Sequence, residues 1–439
     1  MSNQPPPIDL PPIQFIAAGD DDEMMKANLD AVLPSPGYPA AAIMIAEAIS
    51  KRADLIVLDY SAQSVKIRFQ IDGVWHELPP RDRASGDYML ASLKKLANLN
   101  YLERRGRQEG IFAAKLMNQK TEFNFISQGV PTGERVVIHV NREKPPTETL
   151  EDLGMRQKMI DEIKEHFAKP SGLVLVSTLP GDGHSTFWRG ALNAFDRYMR
   201  DYYSVEEASR LEAEVINVNP VTFDEAAGQT AKDVTADLLL REPDVLAFPE
   251  IPTGELLDHY CDIVLDKGKL VIARIPAKSS VEAILRAIAL KPTVSKFAEA
   301  LHCVIYQRTI RKLCQRCREA YSPSPQLLQK MGLSPGRVQT FYNDTQPPPP
   351  EECVDEQGRP IEIEICPKCS GLGFLERSGI FEYLNVTDRF RKAMKTTTDI
   401  QSLLGVGRSE GHLTLREEGV VLVAKGVTSV QELQRVLKK

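Results

Sequence analysis

Val174-Leu175-Val176-Ser177-Thr178-Leu179-Pro180-Gly181-Asp182-Gly183-His184-Ser185-Thr186 is an apolar run, then a glycine-bearing turn, then a Ser-Thr pair. This is the order of a strand–G-x-x-x-x-G-K-[ST]–helix loop, whose backbone N–H groups wrap phosphate oxygens. Thr178 stands where the first glycine belongs, and His184 stands where the lysine belongs. A histidine is mostly neutral at pH 7 and shorter than lysine, so reach and charge are both reduced. Asp182 adds a carboxylate where like charge disfavours a phosphate. Gly181, Gly183, the helix start at His184 and Thr186, and Ser185 in the magnesium-ligand position are the parts of a nucleotide cradle still present. A structural strand-to-helix turn and a retained ATP–Mg²⁺ site are both open readings of this stretch.

Around it, apolar segments at Leu173–Val176, Glu214–Val218, Val245–Phe248 and Leu270–Ala273 alternate with helical patterns. That predicts an α/β fold with a parallel sheet covered by helices. The strand Val245–Phe248 runs into Pro249-Glu250, which makes Glu250 the candidate water-activating carboxylate. Upstream, Val65–Ile71 and Val74–Leu78 alternate about Asp72-Gly73, a strong hairpin signal. With a helix over Met89–Ala97 and a strand at Arg135–Val140, they predict a small α/β domain. Residues 1–36 are rich in proline and acid and are expected to be disordered or loosely docked. Ser429-Val430-Gln431-Glu432 reads as a capping box opening the last helix.

The 439 residues exceed one ordinary core, and 42% hydrophobic with 26% charged residues is a globular composition. Lys plus Arg number 54 against 60 Asp plus Glu, a net −6 that argues against a protein held to nucleic acid by charge. No apolar run reaches the ~20 residues of a membrane span, and no signal peptide opens the chain, so a cytoplasmic location without membrane insertion is expected. Of seven cysteines, Cys314-x-x-Cys317 and Cys366-x-x-Cys369 form pairs that can supply four thiolates to a structural Zn²⁺. Four cysteines leave no open coordination position, so catalysis there is not expected. Cys261, Cys303 and Cys353 carry no ligand pattern.

With these pieces in order, residues 37–439 resemble the GspE/PilB family of type II secretion and type IV pilus assembly ATPases. The resemblance rests on Glu103-Arg104-Arg105 with Gln108-Glu109-Gly110, on Gln307-Arg308 and Leu313-Cys314, and on Cys366–Cys369 with Gly371 and Gly373. Gly411-His412-Leu413-Thr414-Leu415-Arg416-Glu417-Glu418-Gly419 matches its C-terminal signature. It implies a RecA-like P-loop domain over 146–310, preceded by a small PAS-like α/β domain over 37–145. A tetracysteine zinc element over 311–390 and a helical region over 391–439 follow. It further implies homo- or hetero-hexameric rings at the inner membrane, acting on a membrane platform protein.

The departures from the family fall on the chemistry. Its acidic box reads Val218-Asn219-Pro220-Val221-Thr222, its G-E-I-R-D strand end reads Pro249-Glu250-Ile251-Pro252-Thr253, and its histidine box reads Gly268–Ala277 without histidine. Phosphoryl transfer rests on positioned charge, so these losses imply much reduced or absent hydrolysis. A working ATPase using Glu250, Ser185-bound Mg²⁺ and His184, and a zinc-containing binding module without nucleotide, are the alternatives.

Overall fold

The computed structural model describes residues 12–142, 149–334, 336, 338–348, 361 and 364–438. Pro145-Pro146, which reads in the sequence as a linker after the first domain, and Cys353 lie outside the described residues. Residues 1–145 with 346–373 form one compact unit, and 146–345 with 374–439 form a second.

In the first unit, β1 (Ile13–Ile16), β2 (Leu55–Tyr60), β3 (Ser64–Ile71), β4 (Val74–Asp82), β5 (Gln108–Leu116), β6 (Gln119–Val130) and β7 (Gly133–Asn141) form one sheet, ordered β1-β5-β6-β7-β2-β3-β4. Every pairing in it is antiparallel. Alternation along the strands puts Ile67, Phe69, Val136 and Ile138 on a buried face, packed with Ile45 and Leu93 of the helices Tyr38–Ser50 and Arg83–Leu96. The β3–β4 turn has both Asp72 (φ +49°) and Gly73 (φ +77°) left-handed, as a two-residue hairpin turn requires. The described part of residues 1–36 is docked on this sheet. Ile13 and Phe15 alternate inward as β1 pairs with β5, and Asp21 caps a helix over Asp22–Val32. Ile13, Phe15, Ala17 and Val32 are buried in the core of this unit and anchor a segment whose composition is otherwise polar.

The second unit is built on β8 (Gly172–Thr178), β9 (Tyr202–Glu207), β10 (Asn219–Phe223), β11 (Val245–Phe248), β12 (Leu270–Arg274) and β13 (Leu301–Leu313). A short pair, β14 (Glu319–Tyr321) and β15 (Phe341–Asn343), stands apart, and β16 (Phe374–Asn385) closes the main sheet in the order β10-β9-β11-β12-β8-β13-β16. All neighbours are parallel except β13–β16. Successive residues of β8 enter different cores: Leu173 and Leu175 pack with the helices Gly254–Leu265 and Ser280–Ala289, whereas Val174 and Val176 pack with Gln157–Phe167 and His184–Asn193. The strand expected at Glu214–Val218 is instead a turn with Asn217 at φ +61°, and the sheet takes Tyr202–Glu207 and Asn219–Phe223 on either side of it. The region 311–390 contributes β16 to this sheet, and four helices occupy the described residues from Asp388 onward. At the last helix, Ser429 caps the Glu432 N–H, but the Glu432 carboxylate does not return to Ser429. It is buried and accepts from the Arg311 N–H and from the Arg311 and Arg435 guanidinia.

One packed pair is a pH device of the fold. Burial, then the charges of Lys169, His302 and Arg391, pull His166 down to about 4. Burial, then Lys169 and Arg391, pull His302 down to about 4 as well. The Lys169 ammonium lies 3.3 Å from His166 Nδ1, which must therefore accept. Both folded values lie below the unfolded value of about 6.5. Their stabilisation is thus complete above that pH and is lost as pH falls toward about 4. The thermal midpoint is expected to fall between pH 7 and 5, and His166→Phe is expected to flatten that slope. An unchanged slope would refute the assignment.

Candidate phosphate-binding site and cysteine cluster

β8 is buried at every residue between β12 and β13, and it delivers the loop Leu179–Gly183 to the helix His184–Asn193. Gly181 (φ +88°) and Gly183 (φ +80°) are left-handed, a conformation that costs other residues about 1–2 kcal/mol. The Asp182 N–H closes the turn on the Leu179 carbonyl at 3.1 Å, and Phe187 N–H starts the helix on the Gly183 carbonyl at 2.8 Å. No side chain caps this helix. Its first N–H groups and dipole are the anion-directed part of the motif.

Asp182 does not act as the repulsive carboxylate that its position suggested. The Thr309 hydroxyl donates to one of its oxygens at 3.0 Å, and the Arg308 guanidinium lies 3.5 Å from the other. Both partners come from β13, so the charge is balanced within the sheet. His184 is half-buried. Burial first, and then the nearby Arg274 charge, hold its pKa below the ordinary value, against weaker opposition from Glu212 and the Thr178 backbone. This shift favours the neutral ring, which does not supply the charge of an ammonium. Ser185 is exposed and Thr186 half-buried on the first turn of the helix.

Glu250 is placed differently. It is exposed beyond the end of β11, and both its oxygens accept from Arg210 Nη1, at 2.9 and 3.0 Å. Arg210 also approaches Glu207 (3.5 Å) and Glu225 (3.7 Å), so the glutamate belongs to an ion cluster. A cavity of about 370 Å³ opens beside that cluster over Val205, Phe223 and Tyr260, and none of the residues 181–186 lines it. The structure thus brings Gly181, Gly183, His184, Ser185 and Thr186 together at one loop–helix junction and ties Glu250 to Arg210.

Sequence reading passed over Arg274 and Glu212. Arg274, at the end of β12, is 4% exposed. Its Nε donates to the Pro249 carbonyl at 2.9 Å, its Nη2 to Glu212 at 2.5 Å, and its guanidinium stacks 5.1 Å from the centre of the Trp188 ring. An arginine ending an otherwise apolar central strand was the available signal.

The four paired cysteines converge. Cys314 follows β13 directly and Cys366–Cys369 precede β16, whose Phe374 pairs with Leu313. The sulfurs of Cys314, Cys317, Cys366 and Cys369 all lie within 4.8 Å of one another. Four thiolates about 2.3 Å from a central Zn²⁺ need sulfur separations of roughly 3.8 Å, so the donor set and its spacing fit the ion.

The sequence profile of the Type II/IV secretion system protein family matches residues 36–435. The chain belongs to this family. Within the wider set of similar proteins, the HofB homologue of Escherichia coli K12, a protein transport protein, is 28% identical over 89% of this chain and 79% of its own length. Type II secretion system protein E of Dickeya dadantii is 28% identical over 96% and 78%. The type IV pilus assembly ATPase PilB of Thermus thermophilus is 24% identical over 89% of this chain and 42% of its own. Among solved structures, the Legionella pneumophila ATPase DotB superposes with a TM-score of 0.54, at 13% identity, over 90% of this chain and 94% of DotB. That likeness establishes the fold, an α/β architecture built on a parallel sheet. Among the described residues, no helix is long and apolar enough to cross a membrane.

Proposed function

We propose that this chain is a non-hydrolysing subunit of a type II secretion or type IV pilus machine. In this reading it joins a ring of homologous chains at the cytoplasmic face of the inner membrane and engages the platform protein there. The observation that carries it is the state of Glu250, whose two oxygens are both held by Arg210 in an exposed ion cluster. A water-activating carboxylate must be available to the nucleophile, and removing one positioned group at such a site costs roughly a hundredfold or more in rate. Here the lysine is histidine, the acidic box is Val218–Thr222 without a carboxylate, and the remaining carboxylate is paired. The four cysteines hold a structural zinc in the same proposal.

Phosphate release from Mg-ATP by the purified chain tests it. The expected rate is the buffer background, unchanged by Glu250→Gln. Turnover above background that falls a hundredfold in Glu250→Gln would overturn the reading in favour of a motor using Glu250 and Ser185.

A further inference from the structure

Losing the lysine removes a cation from the loop, yet another cation stands beside it. β12 pairs with β8 in register, Arg274 opposite Val176, and the Ile275 N–H bonds the Val176 carbonyl at 3.1 Å. Arg274 therefore ends its strand alongside the strand that carries the loop. Its guanidinium lies over Trp188, one turn along the helix from His184, and its charge is felt at the His184 ring. An arginine at 4% exposure ordinarily satisfies all its donors. Here Nε and Nη2 are engaged, while buried Nη1 makes no hydrogen bond among the described residues. Two more buried polar atoms at this end of β8 are in the same condition, His184 Nδ1 and Thr178 Oγ1. An uncapped helix N-terminus, with an incompletely bonded guanidinium on the adjacent strand and buried polar atoms without hydrogen bonds, offers the donors an anion site uses.

We propose that Arg274 is the cation of this loop, meeting a phosphate group at the start of helix His184–Asn193, with Glu212 as its resident carboxylate until the phosphate replaces it. Glu212 suits that part. It comes from the irregular segment between β9 and β10, its side chain is 12% exposed, and its neighbour Leu211 is 60% exposed. The carboxylate is thus at the rim, while the guanidinium is fixed beneath by Pro249 and Trp188. A guanidinium accepts a phosphate through the same paired donors it offers a carboxylate. The ligand class is a phosphate-bearing molecule, either a nucleotide or a free polyphosphate. This inference goes beyond the proposed loss of hydrolysis and does not depend on it.

The test is calorimetric titration of the full chain with inorganic pyrophosphate, Mg-ATP and adenosine in parallel. Saturable pyrophosphate binding is expected to tighten at least tenfold in Glu212→Gln, which frees the guanidinium, and to weaken at least tenfold in Arg274→Gln. Arg274→Lys, which keeps the charge, is expected to retain binding. A response to ATP much stronger than to pyrophosphate, with both shifted by the two variants, identifies a nucleotide as the source. Equal responses identify free phosphates. If Arg274→Gln fails to fold, Glu212→Gln decides alone. Pyrophosphate silent to both the wild type and Glu212→Gln, or affinity unchanged or weakened in Glu212→Gln, would overturn the proposal. Phosphate release in the separate turnover assay would overturn the non-hydrolysing reading and leave this one standing.

Discussion

Replacing Lys94 by methionine is expected to destabilise the first unit by about 3–5 kcal/mol, a large fraction of a domain's stability. Lys94 and Glu134 are 0% and 1% exposed, with Nζ 2.5 Å from Oε1. Lys94 also donates to the Glu103 carbonyl at 2.5 Å, and the Ser127 hydroxyl donates to the same Glu134 oxygen. The other Glu134 oxygen is buried and makes no hydrogen bond among the described residues. Removing the lysine strands a carboxylate in the core, which is what makes a half-broken buried pair costly. The double variant Lys94→Met/Glu134→Leu is expected to recover most of the loss, because desolvation of both charges is then avoided. Denaturant unfolding followed at Trp75, in a Trp188→Phe background, isolates the first unit, since these are the two tryptophans of the chain. A single-variant loss under about 1 kcal/mol, or a double variant no more stable than the single, would contradict the account.

The second large effect concerns the cysteine cluster. The purified chain is expected to carry about one zinc, and Cys369→Ser to carry almost none. Cys314 and Cys369 are both 0% exposed, so the change also places a polar hydroxyl where a buried thiolate stood. Clamping a loop of about 50 residues at its neck is worth roughly 4 kcal/mol on a chain-entropy basis. Loss of the ion by chelation or by Cys369→Ser is therefore expected to lower the thermal midpoint by several degrees. Wild-type protein free of metal, with a midpoint insensitive to a strong chelator, would remove zinc from the account.

How much of this was legible in the sequence depended on how local the determining interactions are. The β8–loop–helix unit and the Asp72-Gly73 hairpin are written in contiguous residues, and they were readable for that reason. The cysteine pairs were readable because their spacing is itself chemical. β9 was not, because Tyr202–Glu207 ends in two carboxylates while the neighbouring Glu214–Val218 imitates strand alternation. Asn217 at positive φ decides the matter, and backbone sign is invisible in residue patterning. The Arg274–Glu212 pair joins residues far apart in sequence through an irregular segment. Lys94 lies on a helix face that reads as solvated, until the sheet that covers it is known.

Asp182 has a consequence for time rather than for charge. The turn it occupies is pinned to β13 through Thr309 and Arg308 before any ligand arrives. A loop held in this way forfeits little conformational freedom on capture, so the ordering penalty that weakens many encounters is small. Arrival of an anion then needs displacement of one side chain and no folding of the turn, which favours association near the ordinary rate for small ligands and places any slow step in departure.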